Sequence, residues 1–129
     1  MPVGVRRYQE LVCWQLANEL RHRIVVITAQ PTVAKDFSFC DQIRRASGNV
    51  PGNIAEGFGR FIHREFAQFL RYARGSLLET QDRRFDGRAR GHISTSEFDW
   101  LWHLSERAIA AVTRLRASLG KSRGANRQP

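Results

Sequence analysis

Lysine is nearly missing from this chain: Lys35 and Lys121 are the only two, although Lys and Arg together number 21. The formal charge of +9 at pH 7 is therefore carried by arginine. Cysteine is scarce as well, with Cys13 and Cys40 alone, far apart and without the CxxC spacing or neighbouring histidine pair of a zinc site. Two free buried thiols in a reducing compartment are expected. The first ten residues hold no apolar run of the signal-peptide kind, and no stretch is as long and apolar as a bilayer span requires. These shortages argue for a cytoplasmic protein outside the membrane. Metal sites and cofactor loops are also lacking. His22, His63, His92 and His103 are scattered, with no Glu-x-x-His pair. Gly57-Phe58-Gly59 has neither a preceding strand nor the third glycine of a dinucleotide loop, and there is no Gly-Lys-Ser/Thr. No cofactor, catalytic residue or small-molecule substrate is expected, and the chain reads as a non-enzyme.

What is present is helical periodicity. Residues 1–120 read as one domain, large enough to bury a core, and the polar stretch 121–129 as a disordered tail. A first helix from about Leu11 to Ala29 puts Cys13, Leu16, Ala17, Leu20, Ile24 and Ile27 on one face. Its β-branched last turn would also suit a strand, but the preceding stripe favours helix, and Pro31 ends it. A second begins near Asp36 with Phe39, Cys40, Ile43, Ala46, Ser47, Val50 and Ile54 on one side. Propensity alone would break it near Asn49, since Gly48, Pro51 and Gly52 follow and an interior proline costs roughly 3 kcal/mol. A third starts near Phe61, with Phe66, Phe69, Leu70, Ala73 and Leu77 as its stripe. Beyond Glu79 the pattern decays through Thr80, Gln81, Arg84, Asp86, Gly87 and Arg90, so fraying or a charged projection is expected there. The fourth opens on a capping box of Ser94 and Glu97, followed by Phe98, Leu101, Ser105, Ala108, Val112, Leu115 and Leu119. Four amphipathic segments with short connections make an all-α, antiparallel up-and-down four-helix bundle.

The centre of the chain carries Gln42-Ile43-Arg44-Arg45-Ala46, then Val50-Pro51-Gly52-Asn53-Ile54-Ala55-Glu56-Gly57-Phe58-Gly59-Arg60, and later Ala73-Arg74-Gly75-Ser76-Leu77-Leu78-Glu79. With Leu11, Trp14, Gln15 and Pro31 upstream, this resembles the ribosomal-RNA intervening-sequence protein family, also called the four-helix bundle proteins. The resemblance spans roughly Tyr8 to Leu119. It implies an up-and-down bundle assembled as a ring-shaped homopentamer, with no enzymatic activity. The chain is also similar to the accessory protein of diversity-generating retroelements, a basic pentamer that binds nucleic acid and a reverse transcriptase. The family implies a proline carried inside a continuous second helix, against the propensity argument. Two departures stand out: Asn49 replaces an expected serine, and the family's leucine-rich end to the third helix is polar here.

Two sets of residues are candidates for function. Arg60, Arg64, Arg71 and Arg74 form a basic stripe extended by Arg83, Arg84, Arg88 and Arg90, and arginine forks suit phosphate oxygens. A nucleic-acid partner, RNA or DNA, is one reading and a solvated helix face the other; Phe61 and Tyr72 suit base stacking or a core. Arg45, Asn53 and Glu56 are polar members of the matched motif. Glu56 is spaced to pair with Arg60, and with Arg74 between helices, which favours a structural ion-pair network over a phosphate site. Trp14, Trp100 and Trp102 read as core or interface anchors. The function expected is a non-catalytic, oligomeric, RNA-binding protein; the alternative is an interaction scaffold whose arginines serve subunit contacts.

Overall fold

The computed structural model describes residues 4–126, and side chains over 4–120. All regular structure among these residues is helical. A 3-10 turn, Tyr8–Glu10, precedes α1 (Val12–Ala29), the single turn α2 (Pro31–Ala34), α3 (Phe37–Phe58), α4 (His63–Ala89) and α5 (Thr95–Asn126). None of these helices is long and apolar enough to cross a membrane. Of the tail expected over 121–129, the side chains are not described and residues 127–129 lie outside the described residues.

The four long helices close a ring of neighbours. α1 packs on α3 and α5, and α4 packs on α3 and α5, while among the described residues the two diagonal pairs make no close backbone approach. Links of a few residues join consecutive helices, and Pro31 occupies the first position of α2, where its missing N–H is harmless. The α1 stripe of Cys13, Leu16, Ala17, Leu20, Ile24 and Ile27 is buried as its periodicity predicts. The β-branched last turn stays helical, and Thr28 Oγ1 donates to Ile24 O at 2.7 Å. Asp36 caps α3 by accepting from Phe39 N at 3.2 Å. The capping box of α5 forms in both directions: Ser94 N donates to Glu97 Oε1 at 2.8 Å, and Glu97 N to Ser94 Oγ at 3.1 Å.

Two stretches are decided by packing over local propensity. α3 runs unbroken through Pro51, which is itself buried beside Val50 and Ile54, so burial outweighs the lost backbone donor. The frayed end expected after Glu79 does not occur, and this is a correction. α4 continues to Ala89, burying Thr80, Gln81, Arg84 and Gly87 in the positions an apolar stripe would fill. Thr80 and Gln81 both find hydrogen-bond partners there. Thr80 Oγ1 donates to Ser76 O at 2.8 Å, and Gln81 Nε2 donates to Ser105 Oγ at 2.8 Å and Glu106 Oε2 at 2.9 Å. Gly87 lets α4 close onto the turn before α5, for a Cβ there would lie 2.5 Å from Ile93 Cδ1 and 2.8 Å from Phe39 Cζ.

Candidate nucleic-acid interface

The predicted basic stripe divides into two parts with different fates. Its first part survives on the surface. Arg60 stands in the link between α3 and α4, where its guanidinium lies 4.9 Å from the centre of the Phe69 ring and 3.6 Å from Glu65 Oε1. Arg64, Arg71 and Arg74 follow along α4, all exposed. Arg71 Nη1 donates to Gln68 Oε1 at 3.3 Å. Phe61 is fully exposed beside Arg60, and Tyr72 is half exposed, so neither serves the core. Tyr72 meets Phe69 edge to face at 5.7 Å and accepts from Gln68 Nε2 at 2.8 Å.

The second part is absorbed by the fold. Arg84 is 95% buried as a residue (5% exposed), so no phosphate reaches it, and its place in the predicted stripe is corrected. Its guanidinium lies 3.7 Å over Phe98, near Phe85 and Trp102, while Nη1 donates to Phe98 O at 2.8 Å. Burial pulls its pKa below the ordinary arginine value, countered in part by Asp99. Arg83 is half-buried, with its Nε enclosed and unbonded. Arg88 donates to Thr95 Oγ1 at 2.6 Å and Ile93 O at 3.3 Å, fastening α4 to the start of α5. Arg90 holds Asp86 and Asp36, each at 2.9 Å.

The motif residues are brought together less than their spacing suggests. Arg60 lies outside the helix and pairs with Glu65, so the expected Glu56–Arg60 pair is absent, as is the Glu56–Arg74 pair among the described residues. Arg45 pairs within its own helix with Asp41 at 2.8 Å, both side chains well exposed. Asn53 Nδ2 donates back to Asn49 O at 2.8 Å. An ion-pair network centred on Asp36 does link the start of α3 to the end of α4, and it had no local signal. Asp36 Oδ2 receives Arg90 Nη1 and His92 Nε2, each at 2.9 Å, across more than fifty residues of sequence. The His92 bond, then the Phe39 amide, hold the Asp36 carboxyl below the usual carboxylate range.

Arg114 and Arg116 are functional candidates that sequence reasoning passed over, because only the apolar face of the last helix was followed. Arg116 shares a groove with Arg71 and Arg74. The surface formed by the start of α4 and the latter part of α5 thus exposes Arg60, Arg64, Arg71, Arg74 and Arg116, against Glu56 and Glu65, while Arg114 lies in the neighbouring groove between α1 and α5. Other chemistry is less favoured. The thiol of Cys13 is pushed up to about 11 by burial and that of Cys40 is raised by the same cause, away from nucleophilic reactivity. Among the described residues no three His, Cys, Asp or Glu side chains gather as a metal site. A groove of about 460 Å³ between α1 and α5 is mainly apolar, with Arg23 stacked 3.9 Å over Trp100.

The family model described as 23S rRNA-intervening sequence protein matches residues 9–114, which takes in all four long helices apart from the end of α5. No curated protein matches the chain.

Proposed function

This chain belongs to the 23S rRNA-intervening sequence protein family, and we propose that it is a non-catalytic RNA-binding protein, an antiparallel up-and-down four-helix bundle that works as a homo-oligomer. The observation that carries this reading is the basic surface along the start of α4 and the latter part of α5, where Arg60, Arg64, Arg71, Arg74 and Arg116 outnumber Glu56 and Glu65. Guanidinium groups so placed attract a polyanion and gain free energy by releasing its counterions. Exposed Phe61 and Tyr72 offer ring faces beside that charge, which suits unpaired bases. RNA is the polyanion we assign because the family's description refers to 23S rRNA. Bundle topology is supported by the ring of packed neighbours and by links too short to cross the molecule.

The experiment is binding of a structured RNA by the full chain across a salt series. Affinity is expected to fall steeply with salt and to drop further in the triple Arg60→Ala, Arg64→Ala, Arg71→Ala variant. A flat salt dependence would overturn the reading, and equal displacement by duplex DNA of the same length would remove the assignment to RNA.

One observation favours the scaffold reading instead. Tyr72, Leu78, Phe85 and Trp102 are large apolar side chains exposed on α4 and α5, as surfaces that meet another protein often are. In that case the same arginine substitutions change the oligomer mass measured by light scattering and leave RNA binding as it was. A pentamer, as the family resemblance implies, is expected for the unaltered protein.

A further inference from the structure

We propose that Arg71 and Arg74 of α4 and Arg116 of α5, with the Thr113 hydroxyl, form a seat for one phosphodiester group of bound RNA in the groove between the two helices. The proposal rests on the RNA-binding reading above and gives it a specific place. The groove has a volume of about 300 Å³ and is walled by Leu70 and Val112 behind the three arginines. No carboxylate lines it. Elsewhere, Arg23, Arg45, Arg60 and Arg90 each have a carboxylate within 4.0 Å, whereas among the described residues none of these three does. Three guanidinium groups held in one groove repel each other, and a bound anion is what relieves the repulsion. Their planar forks match the oxygens of a phosphate, and an exposed threonine hydroxyl adds a neutral donor.

Gly75 is the second observation. It lines the same groove in the interior of α4, where a glycine is less favourable than alanine. Neither packing nor backbone geometry requires it. A Cβ built there meets nothing within 4 Å, in contrast to Gly57, where the Cβ would lie 2.7 Å from Phe69 Cβ. Its backbone has no positive φ. What the missing side chain provides is an open floor between Arg71, Arg74 and Arg116, over which a phosphate can approach the helix closely.

The test is fluorescence anisotropy of a labelled RNA hairpin with the full chain at several salt concentrations. Arg74→Gln and Arg116→Gln should each weaken binding about tenfold near physiological salt and lower the salt slope by about one. Gly75→Asp, which sets a carboxylate on the groove floor without a clash, should weaken it more than either. Arg107→Gln is the control: it removes the same charge from an exposed position on α5 outside the groove, with no carboxylate within 4.0 Å among the described residues. Circular dichroism melts establish that each variant is folded, and the two arginine sites, both exposed, keep the test open if Gly75→Asp is not. Groove variants that bind like Arg107→Gln, while the unaltered protein binds with a steep slope, overturn the seat and leave the RNA reading standing. Failure of the unaltered protein to bind overturns both.

Discussion

Replacing Arg84 tests whether a buried charge holds the end of α4 or merely occupies it. The residue is 5% exposed and its guanidinium stacks 3.7 Å over Phe98, yet no carboxylate lies within ion-pair distance among the described residues, and its Nε has no partner. Removing a guanidinium from water costs several kcal/mol even after relaxation. Against this stand a desolvated cation–π contact of about 2 kcal/mol and a charged hydrogen bond to Phe98 O of about 1.5–3 kcal/mol. The opposing contributions nearly cancel, so the net value of Arg84 lies in the volume it fills. Arg84→Met keeps most of that volume and removes the desolvation term; stability should stay within about 1 kcal/mol of the unaltered protein or rise. Arg84→Ala leaves a cavity against Phe98 and Trp102 and should lose about 2–5 kcal/mol. Arg84→Lys keeps the charge without a flat face to stack, and should fall between the two. Urea unfolding followed by circular dichroism, at one protein concentration, gives the order directly. Arg84→Met as damaging as Arg84→Ala would refute the reasoning and mean that the charge itself has a partner, for which another subunit is the natural source.

Two further predictions concern packing and pH. Gly57→Ala adds a methyl 2.7 Å from Phe69 Cβ and 2.8 Å from Phe66 Cδ1, so overpacking of about 1–3 kcal/mol outweighs the gain of up to about 1 kcal/mol in helix propensity; a raised urea midpoint would contradict it. Asp36 is held ionised below the usual carboxylate range by His92, the Phe39 amide and Arg90, so its contribution is complete above its unfolded pKa of about 3.9 and is lost as pH falls through the lowered folded value. Asp36→Asn keeps a good helix cap but loses the charge, so it should be less stable than the unaltered protein near pH 6, and the gap should close in strong acid. A gap that persists at about pH 2 would show that the carboxylate charge is not what Asp36 contributes.

The apolar stripes of α1, α3 and α5 were legible because a helix face repeats every three or four residues whatever it packs against, and the cap of α5 at Ser94 and Glu97 is a purely local device. The end of α4 was illegible for a related reason. A periodicity of hydrophobic residues does not register a core position filled by glutamine or arginine, yet the spacing of Leu77, Gln81 and Arg84 continues the same face without interruption. Polar residues are admitted there because partners arrive from α5: Ser105 and Glu106 satisfy Gln81, and the ring and carbonyl of Phe98 receive Arg84. Nothing near Gln81 in the chain announces Ser105. The candidate site was partly legible on the same terms. Arg60, Arg64, Arg71 and Arg74 were visible as charge on one segment, but only the packing of α5 on α4 removes Arg84 from the surface and brings Arg116 to it. A stripe drawn on one helix counts arginines by spacing, whereas a phosphate meets whichever arginines two neighbouring helices leave without a carboxylate.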